Sequence, residues 1–201
     1  MKRILSLVPL FLLFSNTMFA QIYKKLQNET VPEFAERFRL DSTYHEKIDV
    51  TTSNWNKTKD PIISFYTTSD KTKIEGYAFV QFIENQYSRI FINEYITADA
   101  EDFNLSDLFF ANVDNDPEDE LVIVISQKSN NKEMAGYIFT VYFYDAPNIN
   151  STKLLRIDLD DKFPPEFDGI DKTGEVVKTK YKDTKNIFRI IRKLKLNKVH
   201  S

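Results

Sequence analysis

The sequence predicts an α+β fold: a predominantly antiparallel β-sheet with a short N-terminal helix and a C-terminal amphipathic helix. Three observations carry this expectation. From Pro61 to Tyr181, runs of aromatic and β-branched residues recur, several alternating with period two and separated by polar turns. Thr30 is followed three residues later by Glu33, the capping-box spacing that opens a helix. Near the end, Ile187, Ile190, Ile191 and Leu194 recur at helical spacing.

The chain begins as a secretion signal does. Lys2 and Arg3 give a positive start, Ile4 to Phe14 is apolar apart from Ser6, and Ser15-Asn16-Thr17 closes the run. A core of about 11 residues matches a signal peptide and is well short of the roughly 20 that span a bilayer. Residues 1–20 are therefore expected to be removed after Ala20, leaving one β-rich domain over 21–201 with no membrane span. The expected location is periplasmic or secreted, and the Lys, Asn and Ile content fits a bacterial origin.

Composition narrows the function classes. The 27 basic and 30 acidic residues give a net charge of −3, and loss of Lys2 and Arg3 makes it more acidic. Such a balance argues against nucleic acid as a partner. Cysteine is absent, which excludes disulfides, zinc thiolates and thiol nucleophiles together. Four Asn-x-Ser/Thr sequons, at Asn28, Asn56, Asn104 and Asn150, read as incidental in so Asn-rich a chain.

The elements follow in order. Pro32 suits the first turn of a helix over Val31 to Phe38, with Phe34 and Phe38 on its apolar stripe. Asp41 to Asn56 is polar and expected to be irregular. Ile62 to Thr67 is a compact strand, and Tyr77 to Ile83 and Tyr87 to Ile96 form a hairpin around Glu84-Asn85-Gln86. Leu121 to Ile125 is apolar on both faces, as a central strand covered on both sides must be. Tyr137 to Tyr144 puts Tyr137, Phe139, Val141 and Phe143 on one face and Ile138, Thr140, Tyr142 and Tyr144 on the other. Leu155 to Leu159 and Val177 to Tyr181 alternate with charged residues as half-exposed strands. Asp183 or Thr184 caps the final helix, whose remaining positions hold Arg189, Arg192, Lys193 and Lys195.

The residues that carry chemistry lie in Asn112-Val113-Asp114-Asn115-Asp116-Pro117-Glu118-Asp119-Glu120, directly before the Leu121 strand. Side-chain oxygens fall at Asn112, Asp114, Asp116 and Glu120, and a backbone carbonyl at Glu118 falls at the seventh position. Alternate oxygens turned inward suit a hard cation, and calcium takes six to eight of them in irregular geometry. The same residues also serve as a plain acidic turn at a sheet edge, since Asn and Asp make bends by local hydrogen bonding.

This loop, with Leu121-Val122 behind it and the aromatic Tyr137–Tyr144 strand beyond, resembles one calcium-loop blade of the FG-GAP and VCBS repeat proteins over about 35 residues. The resemblance implies calcium held by Asn112, Asp114, Asp116, Glu118 and Glu120. Two departures stand out: Asn112 replaces an aspartate, and Pro117 stands where the family has glycine. With one copy of the motif, a full propeller of four or more blades is not expected. A single blade-like meander inside a smaller α+β domain is expected.

Other constellations point to ordinary structure. His45 and His200 are the only histidines, and Asp41-Ser42-Thr43-Tyr44-His45 lacks the spatial logic of a triad. One tryptophan, Trp55, is little for a glycan-cleaving groove. Phe163-Pro164-Pro165-Glu166-Phe167-Asp168-Gly169 serves either as a recognition loop or as a cover for one end of the core. The basic tail from Lys178 to Lys198 either meets an acidic partner or simply faces water. The leading expectation is an exported, non-catalytic binding domain, possessing calcium in the 112–120 loop and acting on an unknown protein or envelope ligand. The alternatives are an inhibitor or immunity-type protein and a small cell-envelope hydrolase.

Overall fold

The computed structural model describes residues 22–38, 44–51, 54–97, 103–114, 116–129 and 134–199. The signal expected over 1–20 and His200 lie outside the described residues. In chain order the elements begin with β1 (Ile22–Lys24), α1 (Val31–Glu36), β2 (Tyr44–Thr51), β3 (Asn54–Trp55), β4 (Thr58–Thr68), β5 (Lys73–Ile83) and β6 (Gln86–Ile96). They continue with β7 (Asn104–Ala111), β8 (Glu120–Lys128), β9 (Ala135–Tyr144), β10 (Arg156–Ile157), β11 (Glu166–Ile170), β12 (Val176–Val177) and α2 (Thr184–Val199).

The strands form two six-stranded sheets, with the strand pairs antiparallel throughout. Sheet A runs β1-β6-β5-β4-β2 with β3 on β4, and sheet B runs β12-β11-β9-β8-β7 with β10 on β9. Their inner faces share one core. Ile63, Phe65, Ala78, Val80, Ile90 and Ile92 of sheet A pack with Leu121, Ile123, Ile125 and Tyr144 of sheet B. The expected lone meander is thus half of a sandwich: β7, β8 and β9 are a meander, but a whole second sheet covers it.

Each outer face has its own helix. Val122, Val124, Val141 and Phe143 on the outside of sheet B meet Ile187 and Ile191 of α2. Ile62, Phe79 and Tyr87 on the outside of sheet A meet Phe34 and Ala35 of α1. The two sheets and α2 are therefore stacked as sheet A, sheet B, helix, with the short Val31–Glu36 segment against the outside of sheet A. At the start of α1, Thr30 N–H donates to Glu33 Oε2 at 2.8 Å and Glu33 N–H donates back to Thr30 Oγ1 at 3.4 Å. At the start of α2, Lys185 N–H donates to Asp183 Oδ1 at 2.9 Å, so Asp183 is the cap.

Local chemistry explains where the strands bend. Pro61 lies inside the central strand β4 and has no N–H for the ladder. The register accordingly jumps between Lys59 and Ile62, a bulge that absorbs the missing donor. Across the core, the phenol oxygens of Tyr95 and Tyr144 lie 2.9 Å apart and tie the sheets together. Burial drives the Tyr144 phenol up to about 12 and that of Tyr95 well above its ordinary value.

Several expectations are corrected. The segment expected to be irregular contains β2 and β3, and His45 falls within β2. The half-exposed strand over Leu155 to Leu159 shrinks to Arg156–Ile157. That over Val177 to Tyr181 shrinks to Val176–Val177. Side chains supply the reason for the second: Glu166 accepts from Lys180 N–H at 2.8 Å and Thr179 Oγ1 at 2.9 Å, and Asp168 accepts from Thr179 N–H at 3.1 Å. Carboxylates take the donors a ladder would have used. Phe163 is buried against Phe143 and Tyr181, and Glu166–Ile170 is a strand, so this segment covers the core.

Gly136 and Gly169 are partners in the β9–β11 register because the two backbones meet there. A Cβ on Gly136 would lie 2.1 Å from the Asp168 carbonyl oxygen, and Gly169 has φ of +153°. Gly136→Ala is expected to loosen β11 and β12 from sheet B, read as faster amide hydrogen exchange at Phe167 and Ile170 than in the parent. Ile123, fully buried in β8, is the reference for the core. Ile123→Ala is expected to lower unfolding stability by about 2–5 kcal/mol in urea titrations with little change of slope.

Candidate metal centre

The 112–120 loop leaves β7 and enters β8, so its ends are fixed by two neighbouring strands paired Ala111 to Glu120. Asp114 Oδ1 accepts from Asp116 N–H at 2.8 Å, and Asp116 Oδ1 accepts from Glu118 N–H at 2.8 Å. These are two successive Asx turns, each closing over two residues. They explain how Pro117 is accommodated: the donors come from Asp116 and Glu118, and proline's missing N–H is never called upon. Among the described loop residues none has positive φ, so the left-handed turn that glycine would supply is not used there.

These turns bring three carboxylates together. One oxygen each from Asp114, Asp116 and Glu120 lies within 4.8 Å of the others. Asp116 is exposed, Asp114 half-buried, and Glu120 fully buried as the floor. The Glu120 Oε2 oxygen accepts from Val113 N–H. Its Oε1 is buried without a hydrogen-bond partner, and so is Asn112 Oδ1. Buried acceptors left unpaired cost free energy, more so when charged. Both such atoms belong to this one loop.

Asn112 and Glu118 are bound to one another. Asn112 Nδ2 donates to the Glu118 carbonyl at 2.8 Å and also to the Asp116 carbonyl. The Glu118 carbonyl expected at the seventh position is therefore engaged by an amide, and its carboxylate pairs with Lys57 at 3.4 Å. Of the five residues, Asp114, Asp116 and Glu120 converge, whereas Asn112 closes the loop through its amide nitrogen and Glu118 pairs with Lys57.

A clamp from sheet A holds the far side of the loop. Asn56, at φ of 53° in the β3–β4 turn, accepts from Asp119 N–H at 2.8 Å and donates to the Asp119 carbonyl at 2.9 Å. The Trp55 indole N–H donates to the same carbonyl at 2.8 Å. Sequence reasoning missed this pair, which lies more than sixty positions away. It also missed Asp145, one residue beyond the Leu121–Tyr144 pair and so beside the start of β8. The only available signal was the pairing of the two runs as neighbours, and that needs their register.

Electrostatics agree with this crowding. Burial pushes the Glu120 carboxyl up to about 7, opposed by the Val113 N–H and reinforced by Asp114 and Asp116. Burial raises Asp145 as well, against the Ala146 N–H and with Asp116, Asp114 and Glu118 adding to the rise. Two carboxyls at this end of β8 are thus harder to ionise than usual. A cation with oxygen ligands is one partner that such a cluster can take.

Comparison with known proteins gives no family: no family model matches the chain, and no curated protein or solved structure matches it.

The pH dependence follows from the direction of the Glu120 shift. Its folded value of about 7 lies above the ordinary 4.5. Its stabilising contribution is therefore complete below pH 4.5 and is lost as pH rises through 7. In chelated buffer, Glu120→Gln is expected to gain in melting temperature relative to the parent as pH is raised across that window. Parallel melting curves at every pH would contradict the shift.

Proposed function

We propose that this protein is an exported, non-catalytic binding domain whose 112–120 loop is fastened by calcium. The observation that carries this reading is the convergence of one oxygen each from Asp114, Asp116 and Glu120 within 4.8 Å, in a loop where Glu120 Oε1 and Asn112 Oδ1 are buried without a hydrogen-bond partner. Each carboxylate spends one oxygen on a loop N–H and keeps the other, a division that suits fixed ligands better than a mobile proton carrier. Irregular, all-oxygen donors favour calcium over magnesium, which demands near-ideal octahedral geometry. The signal-like residues 1–20 would bring the chain to a periplasmic or secreted location, where calcium is plentiful. Among the described residues no helix is long and apolar enough to cross a membrane.

In this reading the ion neutralises the acidic cluster and fixes the entrance to β8. The Asn56 clamp then carries that order to the β3–β4 turn of sheet A. Neighbouring loops become a rigid surface for a protein or envelope ligand.

Calcium is expected to stabilise the parent by about 2.7 kcal/mol at a hundred times its dissociation constant, read as a rise in melting temperature that a chelator reverses. Asp116→Asn, at an exposed position, should fold and lose most of that rise. Equal calcium responses from parent and variant, or none from either, would sink the reading.

A further inference from the structure

We infer that the outer side of α2 carries a binding pocket for a phosphate ester, the phosphate held by cations and its organic part by an aromatic ring. Nothing in it depends on a bound calcium ion. A cavity of about 390 Å³ is lined, among the described residues, by Lys185, Phe188, Arg189 and Arg192. The last three fall three, four and seven residues on from Lys185, so all four share one face of the helix, over roughly 10 Å of its length.

The opposite face is already occupied, with Ile187 and Ile191 buried against sheet B. Phe188 belongs to both sides. It is half-buried, its ring centroid lies 5.0 Å from that of Phe109 in β7, and it also lines the cavity. The cavity thus has a packed aromatic wall beside three exposed cations.

Helix stability does not account for those cations. Basic residues late in a helix favour its dipole, but Lys185 stands in the first turn, where the dipole opposes a positive charge. α2 contains no acidic residue. Among the described residues Lys185, Arg189 and Arg192 form no ion pair, and Arg189 Nη1 donates instead to Asn186 Oδ1 at 2.8 Å. The acids at the start of the helix are engaged: Asp183 caps Lys185 N–H, and Asp107 accepts from Thr184 Oγ1 and Leu108 N–H.

Charge then selects the ligand. A single carboxylate balances one of three positive charges. A phosphate monoester carries about −1.5 to −2 at pH 7 and offers three acceptor oxygens. Two guanidinium groups and an ammonium can bond such a group together. Phe188 gives the body of the ester an apolar surface.

Amide NMR shifts of the chain over 21–201, titrated with phenyl phosphate or benzoate, test this. Phenyl phosphate is expected to saturate shifts at Phe188 and Arg189 and to bind about tenfold or more tighter than benzoate. Arg189→Gln with Arg192→Gln, both at exposed positions, should lose that preference. Lys193→Gln, exposed on the same helix but outside the cavity lining, should keep it. Flotation with vesicles containing phosphatidic acid, and not with phosphatidylcholine alone, would place the phosphate on a lipid. Phenyl phosphate binding without flotation would place it on a soluble ester. No saturable shift, equal binding of benzoate, or as large a loss in Lys193→Gln as in the arginine variant overturns the pocket.

Discussion

The constraint on which the rest depends is a carboxylate placed where water does not reach. Glu120 opens β8, the strand whose next five residues are buried on both faces. A strand this apolar has to begin close to the core, and its first side chain is drawn in with it. Burying an ionised carboxylate without full pairing is among the most expensive arrangements in a fold. The loop meets part of that cost with the Val113 N–H and leaves Oε1 unsatisfied. The acidic residues above it add to the cost. The Asx bonds of Asp114 and Asp116 hold both residues over the buried glutamate.

The sandwich makes that placement rigid. Leu121, Ile123 and Ile125 are locked into the core shared with sheet A, while Val122 and Val124 lie beneath α2. β8 can neither slip by one residue nor tilt without exposing one of these sets. The floor of the site is fixed from below by packing on two faces. From the side it is fixed by Asn56 and Trp55, which grip Asp119 from the other sheet. Asn56 and Trp55 therefore tie the loop to sheet A at that end, and the Tyr95–Tyr144 contact provides a second polar tie between the sheets.

The legible part of the fold was the part written in local periodicity. Leu121–Ile125 has no polar face, so its double burial followed directly. The alternation in Tyr137–Tyr144 places Phe139, Val141 and Phe143 towards α2, and Tyr142 and Tyr144 towards sheet A. Asp183 and the isoleucine spacing marked α2. Two of the strands that escaped notice carry register shifts: β2 near Tyr44 and Glu46, and β7 between Leu105 and Asp107. The second sheet was hidden for a different reason. Half-buried strands look alike whether their covered face meets a helix or another sheet, so layer order is decided by long-range contacts. Within the site, Asp114, Asp116 and Glu120 were legible from spacing alone, whereas Asp145 and Asn56 required the pairing of distant segments.

The two departures from a calcium-loop pattern can be weighed physically. Pro117 in place of glycine removes the left-handed option, and the loop turns by successive Asx bends from Asp114 and Asp116 instead. Asn112 in place of aspartate removes one negative charge from a cluster that already has three. Its amide then does what a carboxylate cannot: Nδ2 donates to the Asp116 and Glu118 carbonyls and draws the loop closed. The substitution exchanges charge at the ion for order in the backbone. Fewer ligating charges weaken attraction for a cation, but a loop already folded loses less entropy on binding it. Both changes thus work in the same direction, towards a loop ordered by its own hydrogen bonds. The floor, Glu120, keeps one buried oxygen without a partner.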